Sequence, residues 1–451
     1  MIDLGKHHND TEEHMNRTFL TVISVLVVFF LNITELYAVP SKAEWTVLVY
    51  LNGKNNLEPF GLENFEDMAK VGSTDAVNLL VEMGRPAQHY TNRYDAWSGV
   101  LRFRVMKDME PTVGHALENL GSVDMGSQQT LQDFVSWGIK EYPAHRYFVI
   151  VWNHGQGYRF QLTDDRDTRA RASYDTTVVS EADQDIVGGY RAVSSDDDTG
   201  HLLYNSDIQA VLDQTFPNGG LDLLGYDACL MGMVETAYAF RKSSKLMVAS
   251  EELEPGAGWD YFQFMQLLTQ EPQSDAPAVG KMVVDSYQNK YRDRSSTTLS
   301  LIDLSYIENF SSNLSALSQY LIDNINTLRP TLQQARQRVK SYGYPDAPLI
   351  SIDVLYFLAN LHAISNDQHI RGQIQQLQDL SNTLVVRNYA SKRRQAEYGS
   401  NGIAIYFPEN KLEMEKDRYR DGYFPANKFK PVEFVQKTEW PNLIHKYFEG
   451  Q

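Results

Sequence analysis

Tyr147-Phe148-Val149-Ile150-Val151-Trp152-Asn153-His154-Gly155 and Leu221-Asp222-Leu223-Leu224-Gly225-Tyr226-Asp227-Ala228-Cys229 follow one pattern: a short apolar run, then small and polar residues that carry a reactive side chain. The runs are rich in Val, Ile and Leu without strict alternation, which is what a strand covered on both faces of a parallel sheet requires. In open α/β sheets the loops beyond the carboxyl ends of the strands converge over a crevice, and functional groups gather there. One run delivers an imidazole to that edge and the other delivers a thiol.

Working outward, Val47 to Leu51, Val77 to Met83 and Leu246 to Ser250 read as further strands. Leu131, Phe134, Val135 and Ile139 mark one helix face between them, and Ile208, Val211, Leu212 and Phe216 mark another. A third helix is expected over Met233 to Arg241, directly behind Cys229. Strand and helix alternate, so the fold class is α/β, a layered sandwich around a mostly parallel sheet. Residues 39–262 read as the part that carries this sheet and both reactive side chains. Beyond them, 263–451 turn mainly helical, as in Ile307 to Ile325 and Thr331 to Ser341. Strand-like runs at Leu299 to Leu304 and Ile403 to Phe407 are expected to extend the first sheet. Residues 161–200 are polar and read as an exposed insertion.

The chain has 451 residues, 42% of them apolar, and a formal charge of −17, which excludes a nucleic-acid backbone as partner and suits basic substrates. Near the start, Phe19 to Leu31 is apolar, with Arg17 before it and Leu36-Tyr37-Ala38 after it. This fits a signal peptide over 1–38, with Met15 as an alternative start, and predicts a secreted or periplasmic protein without stable membrane insertion after cleavage. An uncleaved signal anchor is the alternative. An exported chain that keeps one cysteine, Cys229, forms no internal disulfide and no four-cysteine zinc site.

A thiol near its free pKa is mostly protonated at neutral pH, so a nucleophilic cysteine needs a base or cation nearby. His154 can supply it, and a helix starting behind Cys229 would add its positive end. Gly155 removes the side chain next to the histidine, leaving its N–H free to meet a developing oxyanion together with that of Cys229. Read singly, Cys229 is equally a packing residue and His154 a strand-end structural histidine.

These residues, together with Val47-Leu48-Val49-Tyr50-Leu51-Asn52-Gly53, Asn55-Asn56-Leu57, Ser250-Glu251-Glu252-Leu253-Glu254-Pro255-Gly256-Ala257-Gly258-Trp259-Asp260-Tyr261 and Gly402-Ile403-Ala404-Ile405-Tyr406-Phe407-Pro408, resemble the clostripain family of cysteine peptidases. The resemblance implies a caspase-like three-layer α/β/α sandwich, shared with gingipains, legumains and caspases. It implies Cys229 and His154 as the dyad, the histidine protonating the leaving amine, and the Gly155 and Cys229 amides as oxyanion hole. Asp227 matches an acidic residue that binds the basic side chain before the scissile bond, and Glu251, Glu252 and Glu254 are lesser candidates, with Glu252 put first. Self-cleavage between the histidine and cysteine segments is also implied, with Arg166, Arg169 and Arg171 as candidates, giving a monomer of one or two chains. No cofactor is required. Some members depend on calcium, and Asp196 and Asp198 offer hard oxygen ligands without EF-hand spacing. The expectation is thus an exported endopeptidase cleaving protein or peptide substrates after Arg or Lys. The alternatives are an idle binding protein for basic peptides and a transpeptidase or ligase on the same fold.

Overall fold

Along Ala43–Asn52 successive side chains point to opposite faces, and both faces are covered: Val47, Val49 and Leu51 enter one apolar core, Leu48 and Tyr50 the other. The computed structural model describes residues 42–155, 157, 194–292, 296–344, 347–348, 350–416, 423 and 432–449. The expected leader and Arg166, Arg169 and Arg171 lie outside the described residues.

The elements that position the site are, in chain order, β1 (Ala43–Asn52), α1 (Glu58–Ala69), β2 (Val77–Arg85), β3 (Gly99–Arg104), β4 (Glu118–Gly121), α2 (Gln128–Glu141), β5 (Ala144–Trp152), β6 (Ser194–Asp196) and β7 (His201–Leu203). They continue with α3 (Asn205–Thr215), β8 (Leu221–Asp227), α4 (Val234–Phe240), β9 (Ser244–Ala249), α5 (Tyr261–Gln270), α6 (Ala276–Tyr291) and β10 (Thr298–Asp303). The remainder includes α7 (Ile307–Asp323), α8 (Ile325–Gln337), β11 (Ser351–Asp353), α9 (Val354–Ile364), α10 (Gln368–Leu384), β12 (Val385–Ala390) and β13 (Ala404–Tyr406).

Nine strands form one sheet in the order β12-β10-β9-β8-β5-β1-β2-β3-β4. The five central strands, β9-β8-β5-β1-β2, are parallel, and antiparallel pairs close both edges. Helices α1, α5 and α6 cover one face through residues such as Phe65, Phe264 and Val283, and α2, α3 and α4 cover the other through Phe134, Ile208 and Val234. This is the three-layer α/β/α sandwich. Helices α7 to α10 pack onto the second core, so the residues beyond 262 build on the same frame.

Of the two late strand-like runs, only the first extends the sheet. β10 lies against β9, and the edge beyond it is taken by β12. β13 instead pairs with β11 in a separate two-stranded ribbon, tied to the cysteine segment by the Ala404 N–H donating to Gly232 O. Part of the expected insertion is structured: β6 and β7 form a hairpin over 194–203.

Candidate active site

β5 and β8 are hydrogen-bonded neighbours with Trp152 opposite Asp227, so both chains leave the sheet at the same level. His154 and Cys229 each follow two residues later, and the Asn153 N–H donates to Asp227 O at 3.2 Å. The carboxyl ends of β1 and β9 flank them, in the order β9-β8-β5-β1. Four adjacent parallel strands therefore spill their loops over one crevice.

Gly155 shows how close the two segments come. A β-carbon there would lie 2.1 Å from Cys229 O and 2.8 Å from Cys229 N, so only glycine fits against the Cys229 backbone. The residue after the cysteine, Leu230, holds a left-handed φ of 64°, a conformation that costs a non-glycine residue about 1–2 kcal/mol. It is held there because its N–H donates to Glu252 O and that of Gly232 to Ser250 O, pinning the turn to the loop after β9.

His154, Asp227, Cys229 and Glu254 line one cavity of about 30 Å³ with Leu57, Trp152 and the Pro255-Gly256 turn. That is room for about two waters. The imidazole Nε2 lies 3.0 Å from Asn56 Oδ1. The next turn residue, Asn55, donates to Asn153 Oδ1 and Ser195 O, and Asn153 Nδ2 donates to Asn52 O. The Asn52–Asn56 turn thus grips the histidine loop from one side. The sequence reading gave Asn56 no role; it appears there only within the Asn55-Asn56-Leu57 segment that follows a buried strand.

Cys229 is partly buried, and its Sγ accepts the Glu254 N–H at 3.2 Å. Helix α4 starts only at Val234, so the expected helix-dipole assistance is replaced by this single amide. Burial pushes the thiol up to about 12; the Glu254 amide opposes this, while the Glu254, Glu252 and Asp227 carboxyls add to it. The resting thiol is protonated.

Asp227 is 4% exposed and accepts the Trp259 N–H at 3.3 Å. Gly258, with φ of +57°, allows this approach: a β-carbon there would sit 2.7 Å from an Asp227 oxygen. Burial raises the Asp227 pKa, although the Trp259 amide and the Lys290 charge counter it. Glu254 is 6% exposed, and its carboxyl stands against that of Asp227. Burial and the neighbouring Asp227 push its pKa well up.

Two expectations are corrected. Glu252 does not line the cavity: its carboxylate is paired with Arg394 at 2.8 Å and accepts the Leu253 and Gly343 N–H groups, which fix the loop after β9. Glu254, two residues on, faces the cavity instead. Asp196 and Asp198 do not suit calcium, because the buried Lys54 ammonium stands 2.8 Å and 3.3 Å from them, where a cation would sit. Asp196 also accepts the Met125, Asp198 and Thr199 N–H groups, so its oxygens are committed to holding the hairpin.

The sequence profile of the clostripain family matches residues 49–447. Clostripain of Hathewaya histolytica is 26% identical over 254 residues, which is 51% of this chain and 44% of that protein, so the match spans less than half of the relative's length. A secreted C11 cysteine protease from Bacteroides thetaiotaomicron, solved with an irreversible peptide inhibitor, superposes with a TM-score of 0.61 at 17% identity, covering 89% of this chain and 100% of that one. An inactive zymogen C11 protease from Parabacteroides distasonis gives 0.59 at 17% identity, covering 88% and 99%. These likenesses carry the fold. With the profile spanning nearly all of the described chain and the thiol and imidazole meeting at one sheet edge, the chain belongs to the clostripain family of cysteine peptidases.

Proposed function

We propose that the protein is an exported endopeptidase that cuts after Arg or Lys, with Cys229 as nucleophile and His154 as the proton carrier. The cationic side chain enters the cavity toward Asp227 and Glu254, which places the scissile carbonyl over Cys229. The thiol proton passes to His154 as Sγ attacks; the C–S bond forms and the oxyanion meets the Gly155 and Cys229 N–H groups. As the C–N bond breaks, the imidazolium gives that proton to the leaving amine. Water then hydrolyses the thioester and restores the thiol. Asn56, accepting from Nε2, holds the ring so that its other nitrogen serves the reaction.

The observation that carries this reading is the contact between Gly155 and the Cys229 backbone, which forces the two segments together. Export rests on the apolar 19–31 stretch, and the Bacteroides relative is itself described as secreted. We further propose self-cleavage after Arg166, Arg169 or Arg171, since they lie between His154 and Cys229 and the Parabacteroides relative is described as a zymogen. A panel of fluorogenic Arg, Lys, Asp and Asn peptides tests the specificity: turnover of the two basic substrates is expected, abolished by Cys229→Ala. Equal silence on Arg and Lys sinks the specificity. An unprocessed Cys229→Ala chain beside a cleaved wild type is the expected sign of self-processing.

A further inference from the structure

We infer that a cationic side chain seated on Asp227 and Glu254 activates Cys229, so that the residue before the scissile bond is effector of the nucleophile as well as its recognition element. The inference rests on the basic specificity proposed above. Three features of the geometry carry it.

First, Cys229, Asp227 and Glu254 line the same cavity and both acids are buried there, so a charge placed beside them acts on the sulfur across little solvent. Second, Glu254 joins the two tasks in one residue: its N–H donates to Sγ at 3.2 Å, while its buried carboxyl stands against that of Asp227, two acid groups held together beside the sulfur. Two buried acid groups that close cannot both ionise easily, and a cation seated on them relieves the repulsion. Third, the ammonium already beside the cavity, Lys290, has its Nζ committed to the carbonyls of Ala257, Gly258 and Trp259 at 2.9, 3.3 and 3.0 Å. It braces the cavity wall without pairing with Glu254.

The other groups facing this site are the Tyr261 and Tyr287 hydroxyls and His154; Glu252 lies outside the cavity, paired with Arg394. With no cation bound, burial holds the proton on sulfur, and the neighbouring acid groups oppose negative charge there. A guanidinium or ammonium offsets that charge and donates to Asp227 and Glu254, so the thiol proton leaves more readily. An uncharged side chain of equal size fills the space without this effect. Premature thiolate, open to oxidation outside the cell, is thereby avoided.

Cys229 is the chain's one cysteine, so alkylation of the intact protein reads its reactivity alone. In the test, iodoacetamide forms an Sγ–C bond, iodide leaves, and the thiol proton goes to solvent. The rate is followed against pH with ethylguanidinium, and with tetramethylammonium as ionic control. Ethylguanidinium is expected to speed alkylation at neutral pH by about tenfold or more, each tenfold matching one unit in the midpoint of the pH–rate curve. The effect should saturate where ethylguanidinium inhibits peptide hydrolysis competitively. Glu254→Gln should cut the stimulation to a small fraction. Competitive inhibition without acceleration, or equal acceleration by tetramethylammonium, overturns the inference and leaves the specificity standing. Absence of any competitive inhibition overturns both, since the cavity then takes no guanidinium.

Discussion

Gly155→Ala is the sharpest probe of the way the two segments meet. Gly155 is not in the left-handed region, so alanine meets no backbone penalty and the obstacle is contact alone. The added carbon would lie 2.1 Å from Cys229 O, where contacts under 3.0 Å are essentially never seen, and all three nearest atoms are backbone. The histidine loop must therefore move away from the cysteine by roughly 1 Å, a displacement that costs on the order of 10²-fold in rate when it separates reacting groups. The Gly155 amide moves with it, and loss of one oxyanion donor costs about 10²–10³-fold. We expect kcat on an Arg peptide to fall at least about 10²-fold, some 2.7 kcal/mol, with KM changing little. Overpacking should also lower stability by about 1–3 kcal/mol in urea unfolding. Steady-state kinetics on the purified variant decide. A kcat within a few-fold of wild type at unchanged stability would refute the reasoning.

Asn56→Asp places a carboxylate at the oxygen now 3.0 Å from His154 Nε2, and should raise the histidine pKa by about 1–3 units; the histidine limb of the pH–rate profile moves up with it, whereas an unmoved profile means Asn56 does not act through the ring. Glu235 is buried and raised to about 7, so the folded state holds its proton more tightly than the unfolded chain. Its stabilisation is complete below about pH 4.5 and is lost as pH rises through about 7, on the order of 3 kcal/mol, and Glu235→Gln should flatten that part of the stability curve. Arg394→Met orphans the buried Glu252 and should cost about 3–5 kcal/mol in unfolding while leaving KM for Arg peptides nearly unchanged; a large KM increase would return Glu252 to the recognition site.

The five parallel strands were legible because each is a buried apolar run bounded by polar residues, from Val47 to Leu51 through Leu246 to Ser250. Edge strands carry a weaker signal. Val385-Val386-Arg387-Asn388-Tyr389-Ala390 follows a helix without a break and shows mixed polarity, since its side chains are only partly covered. Gly99–Arg104 mixes arginines into an apolar run for another reason: it is buried, and Arg102 is compensated there by Glu82. The placement of Ala404–Tyr406 is a tertiary matter: its pattern says buried strand, but the position beside β10 belongs to β12.

At the site, Cys229, His154 and Asp227 were readable from their places just beyond strand ends. Between Glu252 and Glu254 the sequence could not choose, because both are glutamates on one loop and the distinction lies in Arg394, 142 positions from Glu252. The acidic run at Asp196 likewise resembles a cation site until Lys54, distant in sequence, is seen filling it.

The central claim is that Cys229 is the reacting atom of a site built for a cationic side chain, and active-site labelling measures it most directly. The intact protein is incubated with a peptidyl-arginine chloromethylketone and with its norleucine counterpart, and residual activity is followed beside the mass of the chain. We predict one adduct from the arginine reagent, mapped to Cys229 as a thioether after chloride departure, in proportion to lost activity, and little from the norleucine reagent. Complete labelling of Cys229 with activity retained, or loss of activity with Cys229 unmodified, would contradict the account.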